Sequence, residues 1–265
     1  MDIFNKIWQQ FFKQPQKLAK TVDAGQGRPV LLIHGLASSG QTWEPLVDVA
    51  DKTKWRLIGF DLLGFGASPK PLDNSYDVDE HANAILSSLD RKAKKQKLII
   101  IGHSMGCLVA AHIAALRPAM LEHLILYEPP LFADSPEFRS HARRKRLYFA
   151  FYEQLLRQPK IMFKYSKIMG RLAEGRVLAV TPNSWLPFER SLKNTVMQPK
   201  AYNDLKHTRT PTDIIYGKFD LVVTRADVKK MLQANPHITF HMVREMHDVT
   251  PRAAKYINRL LKQLY

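Results

Sequence analysis

From residue 30 onward, short continuous apolar runs alternate with longer stretches of helical spacing, the signature of a parallel sheet wrapped by helices. Residues 30–33 are an apolar run too short for a helix, and the run ends at His34-Gly35. Residues 55–60 end at Asp61 and a glycine-punctuated loop over 62–69, residues 98–101 at Gly102, and residues 121–127 at Glu128-Pro129-Pro130. Residues 211–216 end at Gly217, and residues 237–243 lead to Arg244-Glu245-Met246-His247, after which 249–261 read as a C-terminal helix. Every run stops at a polar or glycine-bearing loop. Because ligands of parallel sheets bind beyond the carboxyl ends of the strands, these loops are where chemistry is expected.

The strand rhythm stops between residues 130 and 205. That stretch reads as helices rich in bases and aromatics, with Arg143-Arg144-Lys145-Arg146 followed by Tyr148, Phe149, Phe151, Tyr152, Phe163 and Tyr165. A structureless loop of that length is uncommon in a compact domain, so a helical cap over the sheet edge is predicted. The expected organisation is an N-terminal amphipathic helix over 1–17, a core from 18–129 and 206–265, and the cap over 130–205. Within residues 1–13, Ile3, Phe4, Ile7, Trp8, Phe11 and Phe12 share one half of the helix and polar residues the other. Packing on the protein's own body is the first expectation for that stripe, and peripheral contact with an anionic membrane the second. Residues 98–116 lack Asp, Glu, Lys and Arg and approach a membrane span in length. They contain His103, Ser104, His112 and two glycines, and shift from Ile-rich to Ala-rich, as a buried strand turning into a buried helix would.

Composition narrows the class. The 265 residues carry 40 Lys and Arg against 24 Asp and Glu, a formal charge of +16, and 45% are hydrophobic, which excludes a mainly disordered chain. The single cysteine, Cys107, excludes an intramolecular disulfide framework and a CxxC site. With no secretory signal pattern, a reducing, cytoplasmic setting is expected. The basic residues are spread along the chain without a nucleic-acid motif, so nucleic-acid binding is not expected.

The chemistry concentrates where residues 98–101 pass into the next helix. Gly102-x-Ser104-x-Gly106 lies at a strand-to-helix turn, where a serine is held out at the sheet edge and the flanking glycines admit close backbone approach. A serine hydroxyl needs a base, and the base needs a group to fix its tautomer. Ten histidines compete. His247 is preferred because it follows the last predicted strand and precedes the C-terminal helix; His237 and His241, in that strand, are its nearest competitors. His81, His112 and His123 are assigned to helical or helix-end contexts, His207 to a polar linker and His141 to the cap, while His103 diverges from the neighbouring serine. Asp220, after the penultimate strand, is the predicted orienting acid, with Glu128 as the alternative. Donors for an oxyanion are expected from the backbone N–H groups of Met105 and Leu36. His34, Gly35, Gly102 and Gly106 support the two turns, and Asp61 organises the glycine-rich loop.

Taken together, Val-Leu-Leu-Ile-His34-Gly35, Asp61-Leu-Leu-Gly64-Phe-Gly66-Ala-Ser68, Gly102-His-Ser104-Met-Gly106, Tyr216-Gly-Lys-Phe-Asp220 and Met246-His247-Asp248 resemble the α/β-hydrolase superfamily. Within it they are similar to small, lid-bearing bacterial serine hydrolases over about residues 18–263. Serine at 104 argues against the branches that carry aspartate there. The opening strands typical of the family are shortened, and the N-terminal helix is expected to cover their edge. The resemblance implies an α/β-hydrolase fold and ester hydrolysis with no metal and no cofactor, and the aromatic content of the cap adds small to medium hydrophobic acyl or aryl groups as the expected substrate. It also allows carbon–carbon bond hydrolysis or acyl transfer by the same residues, or a non-catalytic binding protein on the same fold.

Overall fold

The computed structural model describes residues 16–133, 143–160, 163 and 180–265. Seven strands, β1 (Lys20–Ala24), β2 (Arg28–Ile33), β3 (Trp55–Phe60), β4 (Leu98–His103), β5 (Leu121–Tyr127), β6 (Thr212–Gly217) and β7 (Ile238–Val243), form one sheet in the order β1-β3-β2-β4-β5-β6-β7. All neighbours run parallel except β1, which pairs antiparallel with β3 at the edge. The helices are α1 (Glu44–Val49), α2 (Val78–Ser88), α3 (Arg91–Lys94), α4 (Met105–Leu116), α5 (Arg143–Arg157), α6 (Pro182–Ser191), α7 (Lys200–His207), α8 (Val228–Ala234) and α9 (Pro251–Gln263).

The continuous apolar runs follow from burial on both faces of the sheet. Successive side chains of a strand point to opposite faces. Leu31 and Ile33 of β2 therefore join Ile58, Ile100 and the inner faces of α2 and α4, while Val30 and Leu32 join Leu57, Ile99, Ile101 and the buried stripe of α9. Every residue of β4 is buried, which sets this strand at the centre of the molecule. The stripe of α9 is Ala253, Ala254, Ile257, Leu260 and Leu261. Its start is fixed by Thr250, whose side chain accepts the Ala253 N–H, and by Pro251 in the first turn, where a missing N–H costs nothing.

Register aligns the carboxyl ends. Ile33 pairs with Gly102, His103 with Tyr127, and Gly217 with Val243, so the residues that follow β2, β4, β5, β6 and β7 emerge along one edge.

The expected amphipathic helix over residues 1–17 falls outside the described residues except for 16 and 17, which are irregular. Within 130–205, α5 lies across the loop after β6, where the Tyr148 hydroxyl donates toward the Leu221 and Val223 carbonyls and that of Tyr152 toward Val222. The end of this segment returns to the body, because Asp204 of α7 bonds His112 of α4, and Asn194 and Thr195, just after α6, donate to the Ser75 and Tyr76 carbonyls. Among the described residues no helix is long and apolar enough to cross a membrane.

Candidate active site

The turn between β4 and α4 forms first from backbone constraints. Ser104 has φ 52° and ψ −123°, a conformation that costs a non-glycine residue about 1–3 kcal/mol and persists only where its surroundings enforce it. Here the Ser104 N–H donates to the Tyr127 carbonyl at 2.9 Å, and the Cys107 N–H donates to the Ser104 carbonyl at 2.9 Å. The flanking glycines are required by crowding: a Cβ on Gly102 would stand 2.7 Å from Cys107 Cα, and one on Gly106 2.2 Å from the Ile33 carbonyl oxygen. Ser104 itself is half-buried at the helix start. Met105 opens α4, so its N–H has no intrahelical acceptor.

The His34-Gly35-Leu36 turn after β2 lies against this elbow, since a Cβ on Gly35 would come 3.0 Å from Ser104 Cβ. Fully buried His34 fixes the turn. Its Nε2 accepts the Leu62 N–H at 2.8 Å, so its proton sits on Nδ1 and is donated to the Gly35 carbonyl at 2.8 Å. Burial brings His34 down to about 4, keeping it neutral, as these two bonds require. Asp61 organises the next loop, accepting the Gly40 and Ala67 N–H groups at 2.8 Å each.

His247 Nδ1 donates to Asp220 Oδ2 at 2.8 Å. The His247 side chain is 16% exposed and that of Asp220 only 2%, so the bond is shielded on the carboxylate side and open on the imidazole side. Asp220 Oδ1 accepts the Val222 N–H at 2.5 Å and the Val223 N–H at 3.3 Å. Burial alone would raise this carboxyl, but the bond to His247, its charge, Glu128 and the Val222 N–H together bring it down to about 2. The loop carrying His247 is tied from below by the Tyr127 hydroxyl, which donates toward the Met246 and Asp248 carbonyls at 2.8 and 3.2 Å. His103 Nε2 donates to the His247 carbonyl at 2.9 Å, and burial followed by the charge of His247 lowers His103 to about 3.

Glu128 occupies the same acid pocket. It is fully buried with φ 57°, its Oε1 accepts the Gly217 N–H, and its buried Oε2 makes no hydrogen bond of standard geometry. Burial, then the proximity and charge of Asp220, push Glu128 up to about 10, so one carboxyl of the pair is ionised and the other neutral. Glu128, Asp220 and His247 each offer a donor atom within 4.8 Å of the others, the one such grouping among the described residues. With Glu128 neutral and Asp220 engaged on Nδ1, the donor set suits proton chemistry better than metal binding.

The other histidines are engaged elsewhere. His81 bonds Ser191, His112 lies between Asp79 and Asp204, and His207 donates to its own helix. His241 is held by Asp213 and Tyr256, which leaves it no free nitrogen. His237 is not in the last strand but exposed just before β7, at the amino end of the sheet, where its carbonyl accepts the Thr212 N–H, and His141 lies outside the described residues. His123 is not at a helix end: it sits half-buried within β5 and bonds Asp213, its polar side chain tolerated there because a half-buried carboxylate faces it. The strut Tyr127 escapes sequence reasoning, being visible only as the last residue of a strand, whereas His103 is read there only as diverging from Ser104 and not as a support for His247. Sequence reasoning also misses a cavity of about 290 Å³ beside the Leu36 turn, walled by Ala37, Phe65, Val180 and Phe188, with Lys70 and Ser184 at its border.

Comparison with known proteins agrees with this architecture. The family described as "alpha/beta hydrolase fold" matches residues 28–249. A probable lysophospholipase of Arabidopsis thaliana, BODYGUARD 4, is 36% identical over 122 residues, covering 45% of this chain and 29% of that protein. The five Arabidopsis relatives of this kind are matched over only 21–29% of their length. Among solved structures, a thermophilic esterase from Thermogutta terrifontis superposes with a TM-score of 0.73 at 21% identity, covering 93% of each chain. A bromoperoxidase from Bacillus anthracis gives 0.75 at 22% identity, covering 92% of this chain and 94% of its own. Identities this low speak for the fold alone; the family match spans most of the chain, which belongs to the α/β-hydrolase fold family.

Proposed function

We propose that the protein is a serine hydrolase that cleaves carboxylic esters of small to medium hydrophobic acyl or aryl groups through an acyl-enzyme on Ser104. The observation that carries this reading is the 2.8 Å bond from His247 Nδ1 to an ionised, buried Asp220, at the same sheet edge as a strained serine. A proton held on Nδ1 leaves the Nε2 lone pair free to act as a base. In the first half-reaction the Ser104 hydroxyl proton passes to Nε2 as Oγ bonds the ester carbonyl carbon. The resulting oxyanion takes hydrogen bonds from the Leu36 and Met105 N–H groups. The carbon–oxygen bond to the alcohol then breaks, and the alcohol leaves with the proton from Nε2. In the second half, water gives its proton to Nε2 and attacks the acyl carbon; Oγ departs, regains the proton, and the carboxylic acid is released.

The substrate class is supported by the apolar cavity beside the Leu36 turn, at the lower end of the size usual for small-molecule sites. The described helices α5 and α6 serve as the cap, with Phe188 of α6 forming part of its underside. The relatives described as lysophospholipase and esterase are consistent with an ester bond as the target. A series of p-nitrophenyl esters of increasing acyl length tests the reading: turnover is expected to peak at short or medium chains and to vanish in Ser104→Ala with the thermal unfolding midpoint preserved. Turnover retained in Ser104→Ala would refute it.

A further inference from the structure

Exposed apolar surface gathers at the rim of the candidate site. Among the described residues nine large hydrophobic side chains are exposed, and six of them, Leu147, Phe151, Phe219, Leu221, Val222 and Met246, lie on three connected segments. Phe219, Leu221 and Val222 flank Asp220, and Met246 precedes His247. The two loops are joined by the Phe219 N–H donating to the Glu245 carbonyl at 3.0 Å. Leu147 and Phe151, four residues apart on α5, share one face beside Tyr148 and Tyr152, whose hydroxyls hold the Leu221–Val223 backbone. Leu221 is 86% exposed and Met246 62%, and their clustering with four neighbours sets them apart from singly exposed residues such as Leu72 and Tyr265.

The charges around this patch select its occupant. Lys218, Arg225 and Arg244 are exposed on the same loops. A second copy of the chain, itself at +16, would meet this rim with like charge. Leucine, phenylalanine and methionine beside Lys218, Arg225 and Arg244, which share these elements with Glu153, Glu245 and Asp248 in a chain of net charge +16, match instead the boundary between acyl chains and anionic headgroups. We propose that the rim formed by α5 and the loops around Asp220 and His247 is a docking surface for an anionic lipid bilayer, turning the mouth of the site toward the membrane. The proposal rests on the proposed function and deepens it by presenting the site to esters dissolved in lipid.

The test uses the full chain and sedimentation with vesicles of phosphatidylcholine, with and without phosphatidylglycerol. Binding is expected only with phosphatidylglycerol and is expected to fall as salt is raised. The pair Leu221→Ser and Phe151→Ser is expected to weaken partitioning about tenfold or more, equivalent to about 1.4 kcal/mol. Tyr265→Ser, an exposed residue packed on Trp55 at the opposite end of the sheet, is expected to bind as wild type. No binding to phosphatidylglycerol vesicles, or wild-type binding by the double variant, overturns the proposal. So does a result in which deleting residues 1–13 removes all binding while the double variant binds normally, or in which the double variant only breaks up an oligomer. Hydrolysis of a soluble short-chain ester, expected to be unchanged in the double variant, is measured separately, so loss of lipid binding and failure of the hydrolase reading are distinguishable.

Discussion

Replacing Asp220 with Asn tests the acid pocket most severely, because the pocket holds two carboxyls in different protonation states. Removing the charge from a buried group 2.8 Å from Nδ1 takes away the partner of the imidazolium that forms when Ser104 gives up its proton. Opposite charges about 4 Å apart at an effective dielectric near 20 attract by about 4 kcal/mol, which corresponds to roughly a thousandfold in rate. The amide adds a second penalty, because its NH₂ would donate to Nδ1 and drive the ring proton to Nε2, where the base is needed; the analogous change in a serine protease costs about 10⁴-fold. A fall in kcat of about 10³ to 10⁴ at pH 7 is therefore expected. Glu128 makes the pH profile diagnostic. It is held at about 10 partly by the negative charge of Asp220, so Asp220→Asn lowers it and lets it ionise beside His247. Activity of Asp220→Asn is expected to climb as pH rises above neutrality, and that rising limb is expected to be absent from Asp220→Asn/Glu128→Gln. Glu128→Gln alone keeps an acceptor for the Gly217 N–H and is expected to lose less than about tenfold. The assay is kcat/KM for a p-nitrophenyl ester between pH 6 and 10 in all four proteins. Asp220→Asn within tenfold of wild type at pH 7, or Glu128→Gln more damaging than Asp220→Asn, would refute the assignment of the two acids.

Two further outcomes follow from the same contacts. Burial alone would lower His112, but Asp204 and Asp79 raise it above its ordinary value, so the folded state binds a proton more tightly than the unfolded chain. Its stabilisation is complete below pH 6.5, the unfolded value, and is lost as pH rises through the raised folded value; thermal midpoints from pH 6 to 9 are expected to decline less in His112→Gln than in wild type. Tyr127→Phe removes the hydroxyl that ties both sides of His247, and a fall of about tenfold in kcat with KM little changed is expected in steady-state kinetics, since about 1–1.5 kcal/mol of positioning hydrogen bond is lost.

How much was legible in the sequence depends on how local each cause is. Strands buried on both faces announce themselves as apolar runs, as in β4, and the turn at Ser104 is written in glycines whose absent side chains leave room for neighbouring backbone. The edge strand β1 carries no such signal, because Lys-Thr-Val-Asp-Ala is largely exposed and gains its partner only from β3. The place of His123 within a strand is hidden for a related reason: what makes it acceptable there is Asp213, ninety residues away. The pairing of α7 with α4 through His112 and Asp204 likewise depends on chain tracing that spacing does not reveal. Position after a strand singled out Asp220, Glu128 and His247 separately. Their sharing one buried pocket, with one carboxyl charged and the other neutral, is a property of packing.

The most direct test of whether this edge activates a serine is reaction of the intact protein with a fluorophosphonate, followed by identification of the modified peptide. A single adduct on Ser104, lost in His247→Ala while that variant keeps its thermal midpoint, is the expected result. An unlabelled wild-type protein alongside a labelled serine-hydrolase control, or an adduct on a different serine, would contradict the account.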